Sequence, residues 1–160
     1  MEIGRISRRS RSLGGAMVGR NTVPSWRDVT LTNAQVKALR ATPFQLVPAP
    51  GAGAFNEFVF AILVAITVVA AWTETADNLE IADGGGNVLS QQIESTGFMD
   101  QVGTEARYAY PKVDAVAQQN SSFVLHNSGD GEFGGGNAGS VLKVRTFYRV
   151  HALGSAWGTF

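Results

Sequence analysis

His126 and His151 are the side chains that acid–base chemistry would recruit first, and each stands at the end of a segment that reads as a strand. Neither has a Ser or a carboxylate spaced as a base and its orienting partner, so both are expected to be structural. The second candidate is the run Gly129-Asp-Gly-Glu-Phe-Gly-Gly-Gly-Asn137. Glycine-rich loops cradle phosphate when they open a helix whose N-terminus faces the ligand. No Gly-Lys-Ser/Thr follows this one, and the next segment, Ser140–Val150, reads as a strand. Asp130 and Glu132 are two carboxylates without a third at ligand spacing. The loop is therefore expected to be structural or an interface loop, with Asp130, Glu132, Phe133 and Asn137 as its contact residues. A cation site is the alternative. Glu74, Asp77, Glu80 and Asp83 also cluster, but without the alternating oxygens of a calcium loop, and they read as a solvated acidic edge. The chain has no Cys, which removes disulfides, thiolate metal sites and a Cys nucleophile. No catalytic residue, metal or cofactor is expected.

Charge is distributed unevenly. Thirteen Lys and Arg balance thirteen Asp and Glu, yet residues 1–27 hold Arg5, Arg8, Arg9, Arg11, Arg20 and Arg27 against Glu2 alone. This arm has few apolar side chains and no sustained period, so it has no core of its own and is expected to lie across an acidic partner surface. Folding back onto its own body is the alternative. No aromatic residue occurs among residues 1–25, so the arm lacks a stacking platform for single strands, and nucleic acid is disfavoured as its partner. Glycines interrupt every candidate signal-peptide core.

The elements that must position these groups are organised around Phe58–Trp72, an uncharged run. As a helix its fifteen residues would cover about 23 Å of a membrane core about 30 Å thick. Glu57 and Glu74 bracket it, and seven of its residues are β-branched, so a strand is expected rather than a membrane span. Its two faces are both apolar, which predicts cover on both sides. Phe58, Phe60, Ile62, Val64 and Ile66 are expected to face the core. Val59, Ala61, Leu63 and Ala65 are expected to face a second sheet or another copy of the chain, and a bulge is expected between Ala65 and Ala71.

Thr32-Asn-Ala-Gln35 has capping-box spacing and predicts a short helix over Asn33–Arg40, closed by Pro43. Strands are expected at Phe44–Val47, around Leu79–Ile81 with a hairpin partner at Val88–Ile93, and at Glu105–Tyr110, Ser122–His126 and Ser140–Val150. The expected fold is an all-β, jelly-roll-like antiparallel β-sandwich with one short helix and an extended N-terminal arm. The divisions are an arm over 1–27, a body over 28–151 and a tail over 152–160, whose Trp157 and Phe160 are expected to dock on a neighbouring surface.

The segments Val29–Leu39, Thr42–Gly53, Ile93–Phe98, Leu125–Asn137 and Leu142–His151, in that order, resemble a group of small tailed-phage and prophage virion proteins. The resemblance implies a β-sandwich structural protein, either a capsid cement (decoration) protein, commonly trimeric, or a tail-tip or fibre component that binds a receptor. On the cement reading the chain sits on the capsid surface of the virion, its arm clamps neighbouring subunits of the major capsid protein, and its copies form a homotrimer. Neither reading involves a membrane or an enzyme activity. A peripheral enzyme such as a wall hydrolase, using His126 or Asp130, is a third reading.

Overall fold

The computed structural model describes residues 23–74 and 77–154. Arg5, Arg8, Arg9, Arg11 and Arg20 of the arm, and Trp157 and Phe160 of the tail, lie outside the described residues.

The first strand, β1 (Ser25–Thr32), runs into the helix α1 (Asn33–Lys37) through the capping box read from sequence. The Thr32 hydroxyl accepts from Gln35 N at 3.4 Å, and the Gln35 side chain accepts from Thr32 N at 2.9 Å. The helix is shorter than expected. Ala38 leaves helical geometry and a turn closes from Thr42 N to Ala38 O at 2.7 Å, so residues 38–41 are turn. Val36 and Leu39 are nevertheless fully buried. β1 also corrects the arm boundary: Ser25, Trp26 and Arg27 pair with Tyr148, Phe147 and Thr146, and Arg27 is an exposed residue of the sheet.

There follow β2 (Phe44–Val47), β3 (Ala54–Thr67), β4 (Trp72–Thr73), β5 (Leu79–Asp83), β6 (Gly103–Ala109), β7 (Phe123–Asn127), β8 (Gly134–Gly135) and β9 (Val141–Ala152). The apolar run is thus strand from Phe58 to Thr67 only, its residues 68–71 leading into β4, and no helix among the described residues is long and apolar enough to cross a membrane. One sheet has the order β1-β9-β3-β6, the second β2-β7-β5, and β4 pairs with β8. All pairings are antiparallel. The segment 88–93 extends the second sheet beyond β5, through bridges Ala82↔Val88 and Leu79↔Ile93. It is less regular than the hairpin expected, because Leu89 N and Ser90 N both donate to Ile81 O. Counting that segment and omitting the two-residue strands, the chain visits the two sheets in the winding of a jelly roll: first, eighth, third and sixth segments in one, second, seventh, fourth and fifth in the other.

The core between the sheets holds Leu31, Leu46, Leu63, Ile81, Leu125 and Val144 with the larger Trp72, Phe98, Phe123 and Phe133. Phe58 meets Phe123 edge to face, 6.0 Å between ring centres, and joins the two layers. Asn56, buried at the start of β3, donates to Pro48 O and Ser121 O, which satisfies both protons of its amide.

The facing of β3 is the reverse of the expected one. Ala61, Leu63, Ala65 and Thr67 are buried in the core of a single chain, whereas Phe60, Ile62, Val64 and Ile66 lie half-buried on the outer face. The cause is a bulge at Val59, where the pairing with β9 slips between Phe58 and Phe60. Side chains alternate with period two, so one extra residue exchanges the faces of everything after it. Phe58 therefore shares the core face with Ala61. Ala61, Leu63 and Ala65 are fully buried within the single chain, so they are not on a surface that a second copy could meet. Val59 itself is half-buried at the bulge. The strand ends at Thr67, whose hydroxyl bonds Gln101 O and accepts from Gly103 N.

Candidate docking face

The side of the β1-β9-β3-β6 sheet turned away from the core is the most distinctive surface of the molecule. Its rows follow from the strand registers. Trp26, Phe147 and Phe60 stand side by side on β1, β9 and β3; the next row is Asp28, Arg145, Ile62 and Tyr108; the next is Thr30, Lys143, Val64 and Ala106. Phe60 and Phe147 stack with ring centres 4.2 Å apart, and Tyr108 and Tyr110 stack at 6.2 Å. Trp26 is 60% exposed and Tyr108 57%. An antiparallel sheet with one solvated face ordinarily carries polar residues there. This one presents a broad aromatic and aliphatic surface, of the kind that marks an interaction site.

Charges sit on the same face in matched positions. Arg145 Nε and Nη2 each donate to an Asp28 oxygen at 2.7 Å, a two-point contact across β9 and β1. That hydrogen bond and the guanidinium charge hold the Asp28 carboxyl below its usual range, and the same bond raises Arg145. At the far end of the sheet Glu57 accepts from Arg149 at 3.1 Å and contacts His151 Nε2 at 2.7 Å, while Phe55 stacks on the His151 ring. Burial alone would raise the Glu57 carboxyl; the hydrogen bonds from His151 and Arg149, with their charges, outweigh it and hold it below its usual value. Lys143 is exposed and forms no ion pair with a described residue. Beside it a groove of about 420 Å³ is lined by Asp28 and Thr30 of β1 on one side and Ile62 and Val64 of β3 on the other, with Lys143 and Arg145 of β9 between them.

The glycine-rich loop is a staple inside the chain. Phe133 is 1% exposed in the core, and Glu132 accepts the backbone N–H groups of Arg40 and Ala41 at 3.0 and 2.7 Å. Gly134 and Gly135 pair with Thr73 and Trp72, and Asn137 accepts from Gly139 N. Of the four residues expected at an interface, Phe133 is therefore withdrawn from any surface and Glu132 is committed to the turn after α1. Asp130 is exposed at the loop tip. Asp77 lies under the same loop, buried, and accepts from Gly131 N.

The acidic edge is likewise dispersed rather than solvated throughout. Asp83 is buried and accepts from Gly85 N, Asn87 N and Asn87 Nδ2. Glu80 faces His126 at 3.5 Å across β5 and β7, and Glu74 accepts from the Thr96 hydroxyl. Among the described residues no three His, Asp or Glu are grouped to hold a metal ion. His126 and His151 are in separate sheets, each against a glutamate.

Sequence reasoning named none of Trp26, Phe60, Tyr108 or Lys143 as site residues. The signal available was the second apolar face of Phe58–Trp72, assigned to the wrong side. Comparison with family models, with curated proteins and with solved structures found no match to this chain.

Proposed function

We propose that this chain is a structural virion protein of the cement type, which binds the outside of a phage head and reinforces the contacts between major capsid subunits. The observation that carries the reading is the outer face of the β1-β9-β3-β6 sheet, which no described element covers, where aromatic and aliphatic side chains stand in rows to which at least three strands contribute. Such a face favours burial against protein. The segments of 29–151 that resemble phage virion proteins support the same origin. On this reading the arginines at 5, 8, 9, 11 and 20 extend the contact, neutralising acidic groups of a neighbouring capsid subunit.

The test is binding to heads assembled without this chain. The purified chain is expected to saturate heads in many copies, and Phe147→Glu on the outer face is expected to abolish binding while unfolding at the same denaturant concentration. Equal binding by that variant removes the sheet face from the contact. Recovery from virions in only a few copies, at the tail, overturns the cement reading in favour of a tail-tip component.

A further inference from the structure

Among the described residues, the connection between β6 and β7 is the most exposed segment that carries apolar side chains. Every residue from Tyr110 to Asn120 is exposed, Val113 completely and Val116 to 64%. The sequence there is Val113-Asp-Ala-Val-Ala117, four small apolar residues around one carboxylate. The loop is nevertheless anchored at both ends. Lys112 N donates to Leu89 O at 2.8 Å, Ala115 N to Lys112 O at 3.2 Å and Asn120 N to Ala54 O at 2.8 Å, and Gln119 bridges Phe55. A pinned loop that presents two valines to water departs from ordinary surface composition, where apolar residues are scattered singly. Asp114 has only a 3.9 Å contact with Lys112, its side chain 79% exposed.

The groove on the outer sheet face is the complement of this loop. Its β3 side is Ile62 and Val64, with Val64 directly beside Lys143, its volume of about 420 Å³ suits a few small side chains, and its Lys143 has no carboxylate among the described residues. We infer that the 112–117 loop of one copy seats in the groove between β1, β9 and β3 of a second copy, with Val113 and Val116 on Ile62 and Val64 and Asp114 paired with Lys143. The loop of the same chain is excluded as occupant, because its tip is fully exposed where it stands. Knob and groove are different surfaces, so the contact is head to tail, and it closes into a ring when the rotation permits. The inference rests on the reading of this face as an assembly surface and names what occupies part of it. It also moves the subunit contact from the Ala61 side of β3 to the Ile62 side.

The experiment is native mass of the full chain by light scattering across a dilution series, beside head binding. Wild type is expected to be a closed oligomer. Val113→Asp with Val116→Asp removes two buried valines and is expected to weaken assembly about 100-fold or more, while circular dichroism and unfolding midpoint stay those of wild type. Asp114→Lys and Lys143→Asp are each expected to weaken assembly, and the two together in one chain to restore it. A monomeric wild type overturns the inference, as does an oligomer unaffected by the valine changes or by both single charge reversals. Loss of head binding by the loop variants with wild type monomeric assigns the loop to the capsid instead: the inference fails and the cement reading stands. An oligomer that the variants dissociate, yet that never binds heads, has the opposite meaning.

Discussion

Replacing Gly136 by Ala tests whether the glycine-rich loop is a staple of the fold. Gly136 has φ +69°, left-handed backbone that costs a non-glycine residue about 1–2 kcal/mol. An added Cβ would also overlap Asn33 Oδ1 and stand 2.8 Å from Trp72 Cδ1 and Nε1. Neither neighbour yields easily, since Trp72 is buried and its Nε1 donates to Asn33 Oδ1 at 2.6 Å. Overpacking a rigid site costs about 1–3 kcal/mol, and a buried indole N–H left without its acceptor about 1–3 more. These contributions overlap, so the expected loss is about 3–6 kcal/mol, a large part of the 5–15 kcal/mol typical of a domain. Gly51→Ala is the control. Its φ is +102° with nothing within 4 Å of the added carbon, so backbone strain alone applies, about 1–2 kcal/mol. Urea unfolding at neutral pH gives both values. Asn33→Ala combined with Gly136→Ala should lose less than the sum of the single changes, because the amide that collides is gone. The reasoning is refuted if Gly136→Ala costs no more than Gly51→Ala.

Other outcomes follow from the same contacts. Leu63→Ala should cost about 2–5 kcal/mol and Ile62→Thr about 1 kcal/mol or less; the opposite ranking in denaturant unfolding would return β3 to the facing its sequence suggests. Val69, at φ +68° and 79% exposed, sits in a tight turn closed by Ala70 N to Val68 O at 2.7 Å. Val69→Gly should therefore raise the unfolding midpoint, reflecting a gain in stability of about 0.5–1 kcal/mol once the extra freedom of the unfolded chain is subtracted. Glu57 has a carboxyl held below its ordinary value of 4.5, so its contribution is complete above that value and is lost as pH falls through the lower, folded one. Glu57→Gln should flatten the fall in melting temperature on acidification below about pH 4.5, and parallel acid limbs for variant and wild type would contradict the His151–Glu57–Arg149 contact.

Much of the fold was legible where local chemistry decides it. The Thr32–Gln35 capping box forms as read, because both its hydrogen bonds lie within one turn of chain. The strands β2, β7 and β9 fall within a residue or two of the expected positions, since alternation and flanking turn residues mark them. β1 has no legible strand signal, and its first three residues read as arm, because its pairing partner lies more than a hundred residues away and its outer residues include charge and Trp26 in the open. The facing of β3 was lost to a single bulged residue, a consequence of pairing with β9 that no pattern within β3 announces. The docking face was illegible for the same reason: its rows take one residue from each of three or four strands, and only the registers set Trp26 beside Phe147 and Lys143 beside Val64.

The position of β9 bears on how the molecule comes together. It is the last of the nine strands among the described residues, yet it lies between β1 and β3. During synthesis the larger sheet has no centre until residues 141–152 emerge, and β1 has no neighbour at all. Both flanking strands wait with unpaired backbone and the apolar side chains of Leu31, Leu63 and Phe60 uncovered, a state prone to pair with the wrong chain. Closing the sheet brings together residues such as Asp28 and Arg145, 117 apart in sequence, which makes folding slow and all-or-none. A ribosome stalled short of Val141 would therefore hold two halves of a sheet with nothing to join them.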